Sequence, residues 1–222
     1  MNELELKQLW QSTHEKLEES IALNQKNTED ISRMKVHSFL GSMKAIKIFT
    51  LLVGIFWVGI GATLLSQIYY YAFWEANKFF LFSATIQVLL TAIALVIYSY
   101  QLVKIYGVEI TDPILQTQEK LAQLKMTTLW SARILFLQLP LWTTFWWNES
   151  MLTDWNIWQW SIVLSVTILF SYLAIWLFFN IKYEHRHKRW FQLIFNGKEW
   201  LPLMQAMDLL AQVEAYRAEE KA

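Results

Sequence analysis

Two histidines near the C-terminus are the clearest candidates for metal chemistry. His185 and His187 stand two residues apart, and on a helix this spacing directs them to nearly opposite faces. The cations that surround them would also repel a divalent metal ion. We therefore predict no metal site here, but a basic cluster that binds anionic groups through Lys182, Arg186, Lys188 and Arg189.

The rest of the sequence has no local pattern of a catalytic site. The chain contains no cysteine, which removes thiolate nucleophiles, disulfides and cysteine-ligated metals. Carboxylates such as Glu109 and Asp112 are scattered, with no motif that pairs them for acid–base chemistry. The 19 basic and 19 acidic residues cancel, so no basic excess points to nucleic acid. We expect a protein that is not an enzyme, has no cofactor and binds no nucleic acid.

The composition indicates a membrane protein. Apolar residues make up 55% of the 222 residues, and only 17% are charged, against about 25% in soluble domains. Charge-free stretches of membrane-spanning length predict three helices, at about 48–68, 79–103 and 157–181. The fold class that follows is all-α, an integral membrane protein with amphipathic helical extensions.

A fourth apolar segment, 128–147, is shorter and contains Arg133 and Pro140. A re-entrant segment is the alternative to a full crossing. If the segment did not cross, the tail 182–222, with its seven Lys and Arg residues, would lie on the translocated side. Basic residues accumulate on the cytoplasmic side of membrane proteins. We therefore predict four spans within a membrane domain at 45–181.

Loop charges also predict the orientation. The segments on one side of the four predicted spans hold 18 Lys and Arg residues, and the two hairpin tips on the other side hold only Lys78. Both termini and the helical loop 104–127 should therefore be cytoplasmic. The basic cluster at 182–189 would then lie beside the lipid bilayer, where anionic headgroups are its natural ligands.

Polar side chains within the spans are few. Gln87 and Gln138 are expected to form hydrogen bonds between helices, as are Ser161 and Ser165, which also form a pair of small residues four apart. Such pairs would serve packing within the chain or a homo-oligomer. The alternative is that these groups line a solute path, as in a small transporter or channel.

The N-terminal segment 1–44 is predicted to be helical and cytoplasmic. Within a helix at 3–23, an apolar stripe recurs at spacings of four, seven and four, at Leu6, Trp10, Leu17 and Ile21. The polar run 24–27 predicts an interruption before a second helix. Residues 1–30 carry seven acids and three Lys, so this segment would be repelled from an anionic membrane surface. The stripe either docks a partner or packs on the protein's own cytoplasmic helices.

The opening Leu4-Glu5-Leu6-Lys7-Gln8-Leu9-Trp10-Gln11 resembles the start of small bacterial multi-span membrane proteins that are associated with alternative sigma factors. The resemblance covers about 25 residues and the general plan, and it implies an anti-sigma-like role in which residues 3–23 bind a cytoplasmic regulator. The His and Cys ligands of zinc-containing anti-sigma domains are missing here. We expect a multi-pass protein of the bacterial inner membrane that acts through protein contacts, with a transporter or a subunit of a membrane complex as the alternative.

Overall fold

The computed structural model describes residues 3–109, 114–195, 197 and 200–209. This part of the chain forms helices joined by short turns, and it contains no strand, which confirms the all-α prediction. The helices are α1 (Glu3–Tyr71), α2 (Lys78–Tyr106), α3 (Ile114–Phe136), α4 (Leu139–Thr144), α5 (Ser150–Asp154), α6 (Ile157–Asn180), α7 (Arg189–Phe195) and α8 (201–209). A 3-10 turn at Tyr183–His185 lies between α6 and α7.

The first helix is continuous over 69 residues, which makes it about 104 Å long at 1.5 Å per residue. The interruption predicted at 24–27 is therefore wrong. The polar residues there weaken the apolar periodicity, but the run has no Gly or Pro to break the backbone. The Thr28 hydroxyl instead donates to the carbonyl of Asn24 at 2.8 Å, within the helix.

In the part of the chain that the structure describes, three helical segments are long and apolar enough, by length and composition, to cross a membrane: Trp10–Tyr71, Lys78–Tyr106 and Ile157–Asn180. Asparagine caps set the start of two of them. The Asn77 side chain accepts hydrogen bonds from the first amides of α2, and Asn156 forms a capping box with Gln159 at the start of α6.

The fourth apolar segment is divided between α3 and α4 by a turn at 137–138, just before Pro140. Proline has no amide hydrogen, and its ring clashes with the carbonyl four residues earlier, which accounts for the end of α3 at Phe136. Both pieces pack between α2 and α6. Hydrogen bonds nevertheless join the segment to α2 along its length, in antiparallel order, through Gln101 with Ser131, Thr91 with Gln138, Ser83 with Thr144, and Asn77 with Trp147.

The two ends of the molecule differ in composition. One end, which we call the basic end, carries the C-terminus of α2, the start of α3, and helices α7 and α8. Its largest buried cluster joins α1, α2, α3 and α8 through Val36, Leu40, Met43, Ile105, Val108, Leu121, Leu124, Leu203 and Ala206. At the opposite end, which we call the tryptophan end, Phe80 contacts Phe145 and Trp147 contacts Trp160 edge to face.

Helices α1 and α2 approach closely at two glycines. A Cβ atom added at Gly54 would lie 2.4 Å from Leu95 Cδ2, and one added at Gly61 would lie 2.9 Å from Val88 Cγ2. Added at Gly59, on the outer face, it would meet nothing within 4 Å. The absence of a side chain at Gly54 and Gly61 therefore allows α1 and α2 to lie close together, an arrangement that small residues also permit between membrane helices.

Candidate functional site

The N-terminal part of α1 projects beyond the rest of the molecule as a single helix. Every side chain that the structure describes from Lys7 to Ile31 is exposed, and burial begins only at Ser32. The exposed stretch, which we call the arm, is 7–31, and it extends about 36 Å along the helix axis.

The predicted stripe lies on the arm and is open to solvent. Trp10 is 67% exposed, Leu17 57% and Ile21 46%, so these three side chains do not pack on another described part of the chain. The side chain of Leu6 lies outside the described residues. Trp10 stacks on His14 with ring centroids 5.3 Å apart, and His14 lies 3.3 Å from Glu18. The arm therefore presents an apolar stripe bordered by acidic residues.

The two glutamines that were predicted to form hydrogen bonds between helices differ in their contacts. Gln138 joins two helices, because its Nε2 donates to the Thr91 hydroxyl of α2 at 3.0 Å. Gln87 is buried, but its Nε2 has no hydrogen-bond partner among the described residues.

Ser161 and Ser165 do not join helices within the described chain. Both are exposed on α6, and each hydroxyl donates to the carbonyl four residues earlier, at 2.8 and 2.6 Å. Within the described residues they therefore form no hydrogen bond between helices. A role in packing against a second copy of the chain stays a prediction.

A buried polar cluster that sequence reasoning missed lies at the basic end. The Lys47 ammonium, on a residue only 1% exposed, donates to Gln101 Oε1 at 2.6 Å and lies 4.5 Å from the centre of the Tyr98 ring. Gln101 Nε2 in turn donates to the Ser131 hydroxyl at 3.5 Å. The cluster joins α1, α2 and α3 where the first apolar stretch begins. The sequence contained one indication that Lys47 is buried, because Lys47 continues the helical spacing of the apolar residues Val36, Leu40 and Met43.

The predicted anion-binding residues lie after the end of α6. Lys182, Lys188 and Arg189 are exposed. Arg186 instead lies over the ring of Tyr183, with Cζ 4.5 Å from the ring centre. Lys125 of α3 lies over the same ring, with Nζ at 4.2 Å.

These contacts change the titration of two groups at the basic end. Burial, and then the charge of Arg186, lower the pKa of Lys125. Burial, and then the nearby carboxylate of Asp208, raise the pKa of Tyr183, whose hydroxyl forms a hydrogen bond with Asp208. The site therefore holds two positive charges against one aromatic ring.

The two C-terminal histidines lie in different surroundings. His185 Nδ1 lies 2.7 Å from the carbonyl of Asn180, and its ring meets the edge of Trp190. His187 is exposed. Within the described residues, no three His, Asp or Glu side chains come together to hold a metal ion.

Arg133, the one cation within the fourth apolar segment, is tied to the end of α6. Its Nε and Nη2 donate to the carbonyl of Ile181 at 3.0 and 2.6 Å. A cation at a helix C-terminus interacts favourably with the helix dipole. This contact gives the guanidinium a polar partner at the basic end of the apolar segment.

No protein-family model, curated protein or solved structure matches this chain.

Proposed function

We propose that the protein is a non-enzymatic, four-span membrane protein of the bacterial inner membrane that binds a cytoplasmic partner through its arm. The fourth crossing is supported by the hydrogen bonds between α2 and the segment 131–147. These bonds extend along α2 from Gln101 to Asn77, a distance of about 36 Å, comparable with the hydrocarbon core of a bilayer. A segment bonded along that whole length crosses wherever α2 crosses.

Charge supports the orientation. Lys104, Lys125 and Lys182 all lie at the basic end, whereas the tryptophan end has Lys78 alone among its loop cations. The positive-inside preference therefore favours a cytoplasmic basic end, with the arm on the same side. Trp74, Trp146 and Trp158 are exposed at the other end, as expected for aromatic side chains at an external headgroup layer.

The observation that carries the docking function is the exposed stripe at Trp10, Leu17 and Ile21. Isolated helices are marginally stable in water unless an apolar face is packed. The same helix packs its face at Val36, Leu40 and Met43 against the body. The stripe on the arm has no such partner within the described chain, so a second molecule would stabilise it.

The occupant we propose is a basic amphipathic helix of a cytoplasmic protein. Glu15, Glu18 and Glu19 border the stripe, and residues 1–30 carry a net excess of four acids. Acidic residues beside an apolar stripe favour a basic ligand and disfavour a second copy of the same arm. The resemblance of the first 25 residues to sigma-associated proteins suggests that the partner is a regulator.

The test compares three versions of the full-length protein, purified from native membranes in mild detergent after cross-linking. The pair Trp10→Ala/Leu17→Ala removes the stripe. Leu23→Ala is the matched control, because Leu23 is 60% exposed but lies on the opposite face of the arm, two residues from Ile21. Truncating a central interface anchor commonly weakens binding by about tenfold or more.

We expect one basic protein to be recovered with wild type and with Leu23→Ala, and to be depleted by about tenfold or more with the double variant. Reversal of charge by Glu15→Lys/Glu19→Lys should deplete the same protein. An identical set of recovered proteins for all versions would refute the docking function. Recovery of a second copy of this chain, lost with the double variant, would show that the arm mediates self-association instead.

A further inference from the structure

The ring of Tyr183 holds two cations that come from different parts of the chain. Lys125 belongs to α3, and its Nζ lies 4.2 Å from the ring centre. Arg186 belongs to the turn after α6, and its Cζ lies 4.5 Å from the same centre. Both side chains are only partly covered, so each cation remains open to a ligand.

Within the described residues, no carboxylate lies within 4.0 Å of the Lys125 ammonium or the Arg186 guanidinium. The Asp208 carboxylate is close by, but it forms a hydrogen bond with the Tyr183 hydroxyl. The positive charge of Arg186, together with burial, lowers the pKa of Lys125. Two like charges held together in this way are stabilised by an anion that contacts both.

We propose that Lys125 and Arg186 bind the phosphate of an anionic phospholipid headgroup, with the Tyr183 ring as the floor of the site. The planar guanidinium of Arg186 matches two phosphate oxygens, and the ammonium of Lys125 supplies a compact second charge. The proposal rests on the membrane embedding proposed above, but it is independent of the partner of the arm.

The position of the pair favours a lipid over a soluble phosphate. Lys125 precedes the fourth apolar segment, 128–147, by three residues, and Arg186 follows the apolar helix α6 by six. Trp130 and Trp190 lie nearby in sequence, and tryptophan concentrates at the headgroup layer. Both cations therefore lie at the depth of the headgroups when α6 crosses the bilayer.

The test measures lipid binding to the full-length protein in detergent by native mass spectrometry. Phosphatidylglycerol is the anionic probe and phosphatidylcholine is the zwitterionic one. Arg186→Gln and Lys125→Gln each remove one cation from the ring. The matched control Lys104→Gln removes a cation of the basic end that lies over a different ring, with its Nζ 5.3 Å from the centre of Tyr100. Circular dichroism confirms that each variant is folded, and Arg186→Lys keeps the charge without the planar fork.

We expect phosphatidylglycerol to bind more tightly than phosphatidylcholine, and Arg186→Gln and Lys125→Gln to weaken it by roughly fivefold each, the effect of one charge at an anionic surface. Lys104→Gln should change binding by less than twofold, and Arg186→Lys should fall between wild type and Arg186→Gln. Equal losses for Arg186→Gln and Lys104→Gln would overturn the site in favour of diffuse attraction. Displacement of the lipid by millimolar inorganic phosphate would overturn the lipid as its ligand.

Discussion

Replacing Gln101 by leucine removes the centre of the buried polar cluster. Gln101 is 0% exposed, and its amide accepts from the Lys47 ammonium at 2.6 Å and donates to Ser131 at 3.5 Å. A hydrogen bond to a charged group contributes about 1.5–3 kcal/mol. The long Ser131 contact adds little. We therefore expect Gln101→Leu to lower the free energy of unfolding by about 2–3 kcal/mol.

The matched control is Gln87→Leu on the same helix. Gln87 is 8% exposed and also buried, but its Nε2 has no hydrogen-bond partner among the described residues. Leaving a buried donor unsatisfied costs about 1–3 kcal/mol. The same substitution should therefore leave the stability unchanged or raise it. The two variants share their chemistry, helix and burial, and differ in the bonds that they remove.

Thermal unfolding of the purified protein in mild detergent, followed by tryptophan fluorescence, measures both effects. On the scale of soluble proteins of this size, 1 kcal/mol shifts the midpoint by about 2–4 °C. Gln101→Leu should therefore lower the midpoint by roughly 4–12 °C, whereas Gln87→Leu should not lower it. Equal losses for the two variants would show that side-chain shape, not the bond to Lys47, decides stability at Gln101, and the reasoning would fail.

Two further predictions concern packing and topology. Gly54→Ala places a Cβ atom 2.4 Å from Leu95 and should destabilise the protein by about 1–3 kcal/mol through overpacking. Gly59→Ala is the control, because a Cβ atom there meets no atom within 4 Å, and it should not destabilise the protein. Equal unfolding midpoints for the two variants would contradict the close approach of α1 and α2. In this cysteine-free chain, Met151→Cys should react with an impermeant thiol reagent from outside intact cells, whereas Gln118→Cys and Gln205→Cys should not. Labelling of Gln205→Cys without labelling of Met151→Cys would exclude the fourth crossing.

The apolar helices were the most predictable part of the fold. The stretches 79–103 and 157–181 lie within or almost within helices Lys78–Tyr106 and Ile157–Asn180. Composition suffices there, because backbone groups in an apolar environment must be satisfied within the helix. The Asn77 and Asn156 caps mark the starts of these helices by a chemistry that is also legible in the sequence.

What the sequence could not predict depends on which helices are neighbours. Lys47 follows the buried series Val36, Leu40 and Met43, yet it looks like an ordinary cation at the border of a span until α2 supplies Gln101. Ser161 and Ser165 have the spacing of a packing pair, but both are exposed on α6 and pack against no other helix of the described chain. Spacing gives the face of a helix, whereas only the arrangement in space gives its partner.

The first helix carries two apolar patches that differ in their packing. Its buried face recurs at spacings of three and four through Val36, Leu40 and Met43, and it packs against three other helices. The stripe at Trp10, Leu17 and Ile21 follows the same helical period, but it remains exposed. Packing a stripe is what normally stabilises a surface helix. The exposed stripe on the arm is therefore where we propose that a second molecule binds.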